Sequence, residues 1–303
     1  MSNGLVIKST GSNYLVWFED GKTLECHIKG NFRIRGIRST NPVAVGDRVA
    51  VETLPDGTNW ITDIADRKNY IIRRSTNLSK ESHILAANLD RVALIVTLYH
   101  PTTSTTFIDR FLATAEAYRV PAVLIFNKID LLTPEQLDEL AAIRVLYESI
   151  GYPTYAISAK NEQINEEIVQ GVTLLAGNSG VGKSTLLNNL FGREMTRTGH
   201  ISDAHDKGMH TTTFSEMYQL GNNWVIDTPG IKGFGAVQMN KEEISHYFRD
   251  IFAVGRNCRY SNCLHTGEPG CAVHDAVVEG KIAISRYESY LSLLGDCDES
   301  KYR

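Results

Sequence analysis

Nine consecutive residues, GNSGVGKST, carry the most explicit chemistry in the chain: Gly177, Asn178, Ser179, Gly180, Val181, Gly182, Lys183, Ser184 and Thr185. Gly177, Gly182, Lys183 and Ser184 satisfy G-x-x-x-x-G-K-[ST]. The glycines let backbone N–H groups curl around phosphates. Lys183 reaches the β and γ oxygens, and Ser184 supplies a hydroxyl to Mg²⁺. An apolar strand precedes the loop, and a helix opens near Thr185, whose N-terminus favours anions. Asp227, in DTPG, ends the strand NWVID and can hold a Mg²⁺ water at the sheet's carboxyl edge. Gly230 can offer its N–H to a γ-phosphate. HTTT, His210 to Thr213, lies between these motifs, and either Thr212 or Thr211 can cap Mg²⁺ when a triphosphate is bound.

A second group reads a base. FNKID supplies Asn127, Lys128 and Asp130. A carboxylate at Asp130 accepts from both N1–H and the exocyclic amine of guanine. Adenine lacks that donor pair, and a buried unpaired carboxylate is costly, so guanine is selected. Asn127 acts on the base and the loop, and the stem of Lys128 covers the ring. SAK (Ser158, Ala159, Lys160) ends another strand and offers a backbone N–H to the guanine carbonyl, with Lys160 flanking. Base reader and base loop therefore precede the phosphate loop, the reverse of the usual order. The arrangement implies a circular permutation, tolerated where termini lie close. It also suggests that γ-phosphate occupancy orders the segments around HTTT and DTPG and so moves the C-terminal domain relative to the N-terminal one.

Ile231 follows DTPG, where common GTPases place a water-orienting Gln. Isoleucine can neither transfer a proton nor hydrogen-bond, so intrinsic hydrolysis should be slow. A partner or another polar residue, such as His210, would complete the site.

The third group is C-x₄-C-x-H-x₅-C: Cys258, Cys263, His265 and Cys271. Three thiolates and an imidazole make a closed tetrahedral zinc site of structural type. The alternative is buried thiols beside an incidental histidine. Cys26 and Cys297 read as ordinary thiols and His274 as a surface residue.

Three segments must position these groups. Residues 1–72 read as about five short strands with turn-type links and no helix, the pattern of a small OB-type barrel. KGNFRIRGIRS sets Lys29, Arg33, Arg35 and Arg38 beside Phe32, a combination suited to an RNA backbone and an unstacked base, or simply to a solvated loop. Residues 73–90 read as a linker. Residues 91–238 alternate strands and helices, as in an α/β sheet covered on both faces. Thr133, Pro134 and Gln136 mark a capping box. Residues 239–303 read as a mainly helical zinc-binding domain, with one helix over 241–255 and another after Cys271.

Residues 1–75 hold eleven Lys/Arg against eight Asp/Glu, +3, so the rest carries −7 within a net charge of −4. A basic front end on an acidic chain suits a nucleic-acid partner there. No apolar run approaches the ~20 residues of a membrane helix, and the N-terminus lacks the signal-peptide pattern. The expectation is a cytoplasmic, non-membrane protein. No coiled-coil repeat demands a dimer, so a monomer is expected.

Rotated NKID, SAK, GNSGVGKST, HTTT and DTPG, followed by CLHTGEPGCAV, resemble the RsgA/YjeQ family of circularly permuted GTPases over nearly the whole chain. The resemblance implies an OB-fold domain, a permuted P-loop GTPase domain and a zinc-binding domain. It also implies GTP and GDP as ligands, Mg²⁺ with GTP, one structural Zn²⁺, and hydrolysis stimulated by the small ribosomal subunit and its rRNA during late subunit maturation. The family's hydrophobic residue after DxxG is matched by Ile231. Met209, before HTTT, departs from the basic residue expected there. Two competing readings are an RNA-binding module with a vestigial nucleotide site and a GTPase acting on a protein or tRNA. Intact Lys183, Ser184, Asp227 and Asp130 argue against the first.

Overall fold

A computed structural model describes residues 2–11, 13–28, 42–74, 82–194, 215–227 and 239–299. The basic loop residues Lys29, Phe32, Arg33, Arg35 and Arg38 lie outside this set. So do Met209, His210, Thr211, Thr212, Gly230 and Ile231.

Strands β1 (Ser2–Ser9), β2 (Asn13–Trp17), β3 (Thr23–Ile28), β4 (Arg48–Thr53) and β5 (Asn59–Ile64) close into a barrel, in the order 1-2-3-5-4 with β4 pairing back to β1. Alternation puts Val6, Tyr14, Val16, Cys26, Val49, Val51 and Ile61 inside. The five strands match the number expected from the sequence.

Residues 73–90, expected as a linker, contribute instead to a two-stranded antiparallel ribbon, β6 (Tyr70–Arg74) with β7 (Ser82–Ala87). Ile71, Ala86 and Leu89 enter the main core, together with Val45 from the turn before β4. The polar composition of the stretch hid these short apolar contributions. Gly46 makes that docking possible: with φ of +93°, a Cβ there would lie 2.1 Å from the Ala87 carbonyl oxygen.

The central sheet follows. It contains β8 (Arg91–Val96), α1 (Thr105–Ala117), β9 (Ala122–Phe126), α2 (Pro134–Ser149), β10 (Thr154–Ala156), β11 (Val172–Ala176), α3 (Lys183–Phe191), β12 (Glu216–Leu220) and β13 (Asn223–Asp227) in chain order. Strands run β10-β9-β8-β11-β13-β12, the first five parallel and β12 antiparallel. β9 is apolar throughout, and β8 and β11 are apolar apart from Arg91 and Thr173, because both faces are covered. Val92, Leu94 and Val96 pack with Phe111, Leu112 and Tyr147 on the α1–α2 side. Ala93 and Ile95 pack with Leu186, Leu187 and Leu190 of α3 on the other. The capping box of α2 is formed: Thr133 accepts from the Gln136 N–H, and Gln136 from the Thr133 N–H.

β12 also pairs with β1, through Lys8 and Glu216, so barrel and sheet are continuous. The Trp17 and Trp224 rings meet edge to face beside this junction, 5.2 Å between centroids.

The C-terminal segment is helical but broken. Residues 241–247 form tight helical turns, Phe248 is extended, and α4 (Arg249–Gly255) begins after it. The single helix expected over 241–255 is interrupted because Phe248 is wholly buried against Tyr290. α5 (Ala272–Val278) and α6 (Ile284–Glu299) complete the unit. It is bonded to the central domain through Arg286, whose guanidinium contacts Asp109 of α1 at 2.8 Å and Asp250 of α4 at 2.8 Å. Arg249 pairs with Glu116 at 2.7 Å.

Candidate functional site

The phosphate loop bridges β11 and α3. Gly177 turns out of the strand at φ +148°, where a Cβ would lie 2.3 Å from the Ile95 carbonyl oxygen. Gly182 precedes α3 at φ +97°, where a Cβ would lie 2.3 Å from Asn127 Nδ2. Only glycine fits either position. Lys183 Nζ donates to the carbonyls of Gly177 at 2.6 Å and Asn178 at 2.7 Å, so the ammonium sits inside the loop. Burial lowers its pKa from the usual lysine value, and the nearby Asp227 carboxylate opposes this. Ser184 and Thr185 occupy the first turn of α3. Asp227 ends β13, paired in register with Leu175, two residues before the loop. The Asp227 carboxylate and Ser184 thus stand beside the loop from two elements. That donor set fits Mg²⁺ carried with a nucleotide.

Asn127 ends β9 and is buried. Its amide donates to the Val181 carbonyl at 2.9 Å, and its Oδ1 accepts the Ala159 N–H at 3.0 Å. One side chain therefore holds the phosphate loop and the base loop together. Lys128 takes a left-handed conformation, φ +64°, and its ammonium donates to the His100 carbonyl at 2.7 Å. Asp130 Oδ1 accepts from the Ser158 hydroxyl at 2.6 Å and Oδ2 from the Asn161 amide at 2.9 Å. These donors orient the carboxylate. A cleft of about 260 Å³ is lined by Asn127, Lys128, Asp130, Ala159, Lys160 and Gly182. Elements 50 residues apart in the chain thus meet at one cleft.

Two contributors were not legible in the sequence. Asn161 reads as loop polarity, and Asn189, in LLNNLF, reads as one face of a helix. Asn189 bonds the base loop three times.

The cysteine cluster converges as expected. One ligand atom from each of Cys258, Cys263, His265 and Cys271 lies within 4.8 Å of the others. His265 Nδ1 is 3.5 Å from Sγ of both Cys258 and Cys271. Tetrahedral zinc, with bonds of about 2.3 Å to sulfur and 2.0–2.1 Å to nitrogen, puts sulfur and nitrogen roughly 3.6 Å apart. The donor set fits that ion. His265 is buried and left-handed at φ +58°. Gly255 lets its ring close in, since a Cβ there would lie 3.1 Å from Nε2. Tyr287 and Tyr290 of α6 donate to the carbonyls of His265 at 2.6 Å and Leu264 at 2.7 Å. Glu268 accepts the N–H groups of Leu264 at 2.8 Å and Thr266 at 2.7 Å. Burial pushes the Cys263 thiol up to about 12 and lowers His265. A cation among the thiols reverses the first direction, and a neutral imidazole is the form that ligates. His274 is exposed and outside the cluster.

Among the described residues no helix is long and apolar enough to cross a membrane.

Residues 64–237 match the sequence family described as RsgA GTPase, and residues 3–61 the family described as RsgA N-terminal domain. The small ribosomal subunit biogenesis GTPase RsgA of Phocaeicola vulgatus is 58% identical over 99% of this chain and 98% of its own. The protein of that name from Bacteroides fragilis is 59% identical over the same shares. Among solved structures, YjeQ from Thermotoga maritima superposes with a TM-score of 0.77 at 31% identity, covering 98% of both chains. YloQ, described as a circularly permuted GTPase, gives 0.76 at 27% identity, covering 100% of this chain and 97% of its own.

Proposed function

The chain belongs to the RsgA GTPase family, and from that membership we propose that it hydrolyses GTP in the service of small ribosomal subunit biogenesis, with hydrolysis stimulated by the subunit. The observation that carries the nucleotide part is the position of Asn127, bonded to the phosphate loop and the base loop at once. A vestigial site would not retain that joint together with Lys183, Ser184 and Asp227.

The proposed roles are these. Asp130, held by Ser158 and Asn161, reads the N1–H and amine edge of guanine. The Ala159–Lys160 backbone faces the base carbonyl, while Lys128 and Lys160 flank the ring. Backbone N–H groups of residues 177–185 and the ammonium of Lys183 meet the phosphates. Ser184 and Asp227, with a threonine of HTTT, hold Mg²⁺. The ion, when bound with the nucleotide, neutralises charge on the β and γ oxygens. Gly230 and His210 complete the proposed set at the γ-phosphate. With Ile231 in the water-orienting position, turnover by the protein alone is slow and the subunit completes the site. Zn²⁺ on the three thiolates and His265 stabilises the C-terminal domain and takes no part in the chemistry. The division proposed is barrel 1–72, GTPase domain 91–238 and zinc-binding domain 239–303, in a cytoplasmic monomer that contacts rRNA through the basic barrel.

GTP turnover with and without purified small subunits tests this. Slow turnover that rises steeply with subunits and disappears in Lys183→Ala is the expected result. Slow turnover indifferent to subunits would leave the nucleotide site in place and move the partner to another RNA or a protein.

A further inference from the structure

Resting on the guanine-nucleotide reading, we propose that Asn189 is a positioning residue for base recognition, a latch by which the phosphate-loop helix sets the base loop. Asn189 lies on α3, six residues beyond Lys183. Its amide nitrogen donates to the carbonyls of Ala159 at 3.0 Å and Glu162 at 2.7 Å. Its Oδ1 accepts the Ile164 N–H at 3.0 Å. Three bonds from one side chain reach one loop, from an element outside that loop.

The consequence falls on one peptide. Ala159 is held at its N–H by Asn127 and at its carbonyl by Asn189. The carbonyl of Ala159 and the N–H of Lys160 belong to one planar trans unit and point in opposite directions. Anchoring the carbonyl to α3 therefore aims the Lys160 N–H away from α3. That donor is matched to the 6-carbonyl, which guanine and hypoxanthine share. Asp130, by contrast, is the group that feels the 2-amine, which guanine has and hypoxanthine lacks. Asn189 and Asp130 thus control different parts of one base, and their losses leave different signatures.

The test is equilibrium binding of GDP, IDP and ADP to the full-length protein, with GTP turnover measured in parallel. The variants are Asn189→Ala and Asn189→Asp; the latter keeps the acceptor for Ile164 but sets a charge against two carbonyls. Loss of such a bonded group costs on the order of tenfold in affinity. The expected result is that GDP and IDP weaken by about that factor in step, while turnover at saturating GTP stays within about twofold. Asp130→Asn instead lowers GDP relative to IDP. Unchanged GDP affinity in both Asn189 variants overturns the latch, as does a fall in saturated turnover with affinity intact. If either variant fails to fold, amide hydrogen exchange on the wild-type protein decides. A protected Ile164 N–H in the nucleotide-free protein supports the latch, and exchange at the rate of an exposed amide overturns it. A wild-type protein that binds GDP no better than ADP would instead remove the guanine reading itself.

Discussion

The side-chain amide of Asn127 donates to the carbonyl of Val181 across 2.9 Å, joining two residues 54 positions apart. Through this bond the residue that follows β9 holds the glycine-rich loop between β11 and α3. Asn127→Ala removes it together with the bond from Ala159, leaving a buried carbonyl and a buried N–H without this partner. We expect GDP affinity to fall about 10- to 100-fold and stability by about 1–3 kcal/mol. Fluorescent-GDP titration and chemical denaturation measure the two. Undiminished affinity would show that the two loops hold their positions independently.

Gly182 gives a sharper steric test. Its φ is +97°, and a Cβ would lie 2.3 Å from Asn127 Nδ2, inside any tolerable contact. The left-handed conformation alone costs a non-glycine residue about 1–2 kcal/mol. Gly182→Ala should therefore displace Asn127 or the loop and abolish tight nucleotide binding, while the barrel and C-terminal domain stay folded. Gly192, also left-handed but with open space around its Cβ position, is the control. Gly192→Ala should lose a little stability and leave GDP binding intact.

Arg286 is 1% exposed and lies between Asp109 and Asp250, with Phe248 beneath its guanidinium at 4.8 Å. Tyr147 donates to the same Asp109 oxygen at 2.9 Å. Burial raises the Asp109 pKa, and the adjacent guanidinium opposes that rise. Arg286→Met strands two buried carboxylates and should cost about 3–5 kcal/mol. The triple variant Arg286→Met, Asp109→Leu, Asp250→Leu should recover most of it, as urea denaturation would show. A swing of the C-terminal domain away from the barrel would have to carry α1 along or break this network.

Chelation should act on one end of the molecule. The core around Phe248, Ile251, Cys271, Val273 and Tyr290 is closed by the ligand loop. Removing zinc leaves thiols in place of thiolates and an uncrosslinked loop. We expect one zinc per chain and chelator-induced protease sensitivity confined to residues 240–299. GDP binding should persist, because no ligand residue lines the base cleft. Cys258→Ser should reproduce the effect without chelator. Unchanged protease resistance in both would remove the metal from the fold.

Much of this was legible from residue types. The phosphate loop, NKID, SAK and the cysteine spacing each name a local geometry, and the structure assembles them. The capping box at Thr133 was equally plain because it is a contact between residues three apart. What could not be read is contact across the chain. Asn189 is a polar residue on a helix until the fold brings residues 159–164 against it. Phe248 breaks a helical pattern because of Tyr290, 42 positions later. Residues 82–87 are polar at their start, and only pairing with Tyr70–Arg74 makes them a strand.

Glu268 provides a pH test within the C-terminal domain. Burial would raise its carboxyl pKa, but the backbone N–H groups of Glu268, Leu264 and Thr266, together with the Cys263 thiol, outweigh that and bring it down to about 2 from 4.5. A folded pKa below the unfolded one means that the ionised form is favoured by folding. The contribution is fully present above pH 4.5 and is lost as pH falls through 4.5 toward 2. Glu268→Gln removes the charge that these N–H groups favour. The melting temperature of the wild type should therefore exceed that of Glu268→Gln by a constant margin above about pH 5, and the two should converge as pH drops toward 2. A margin that stays constant down to pH 2 would mean that the Glu268 carboxylate does not hold the loop carrying His265.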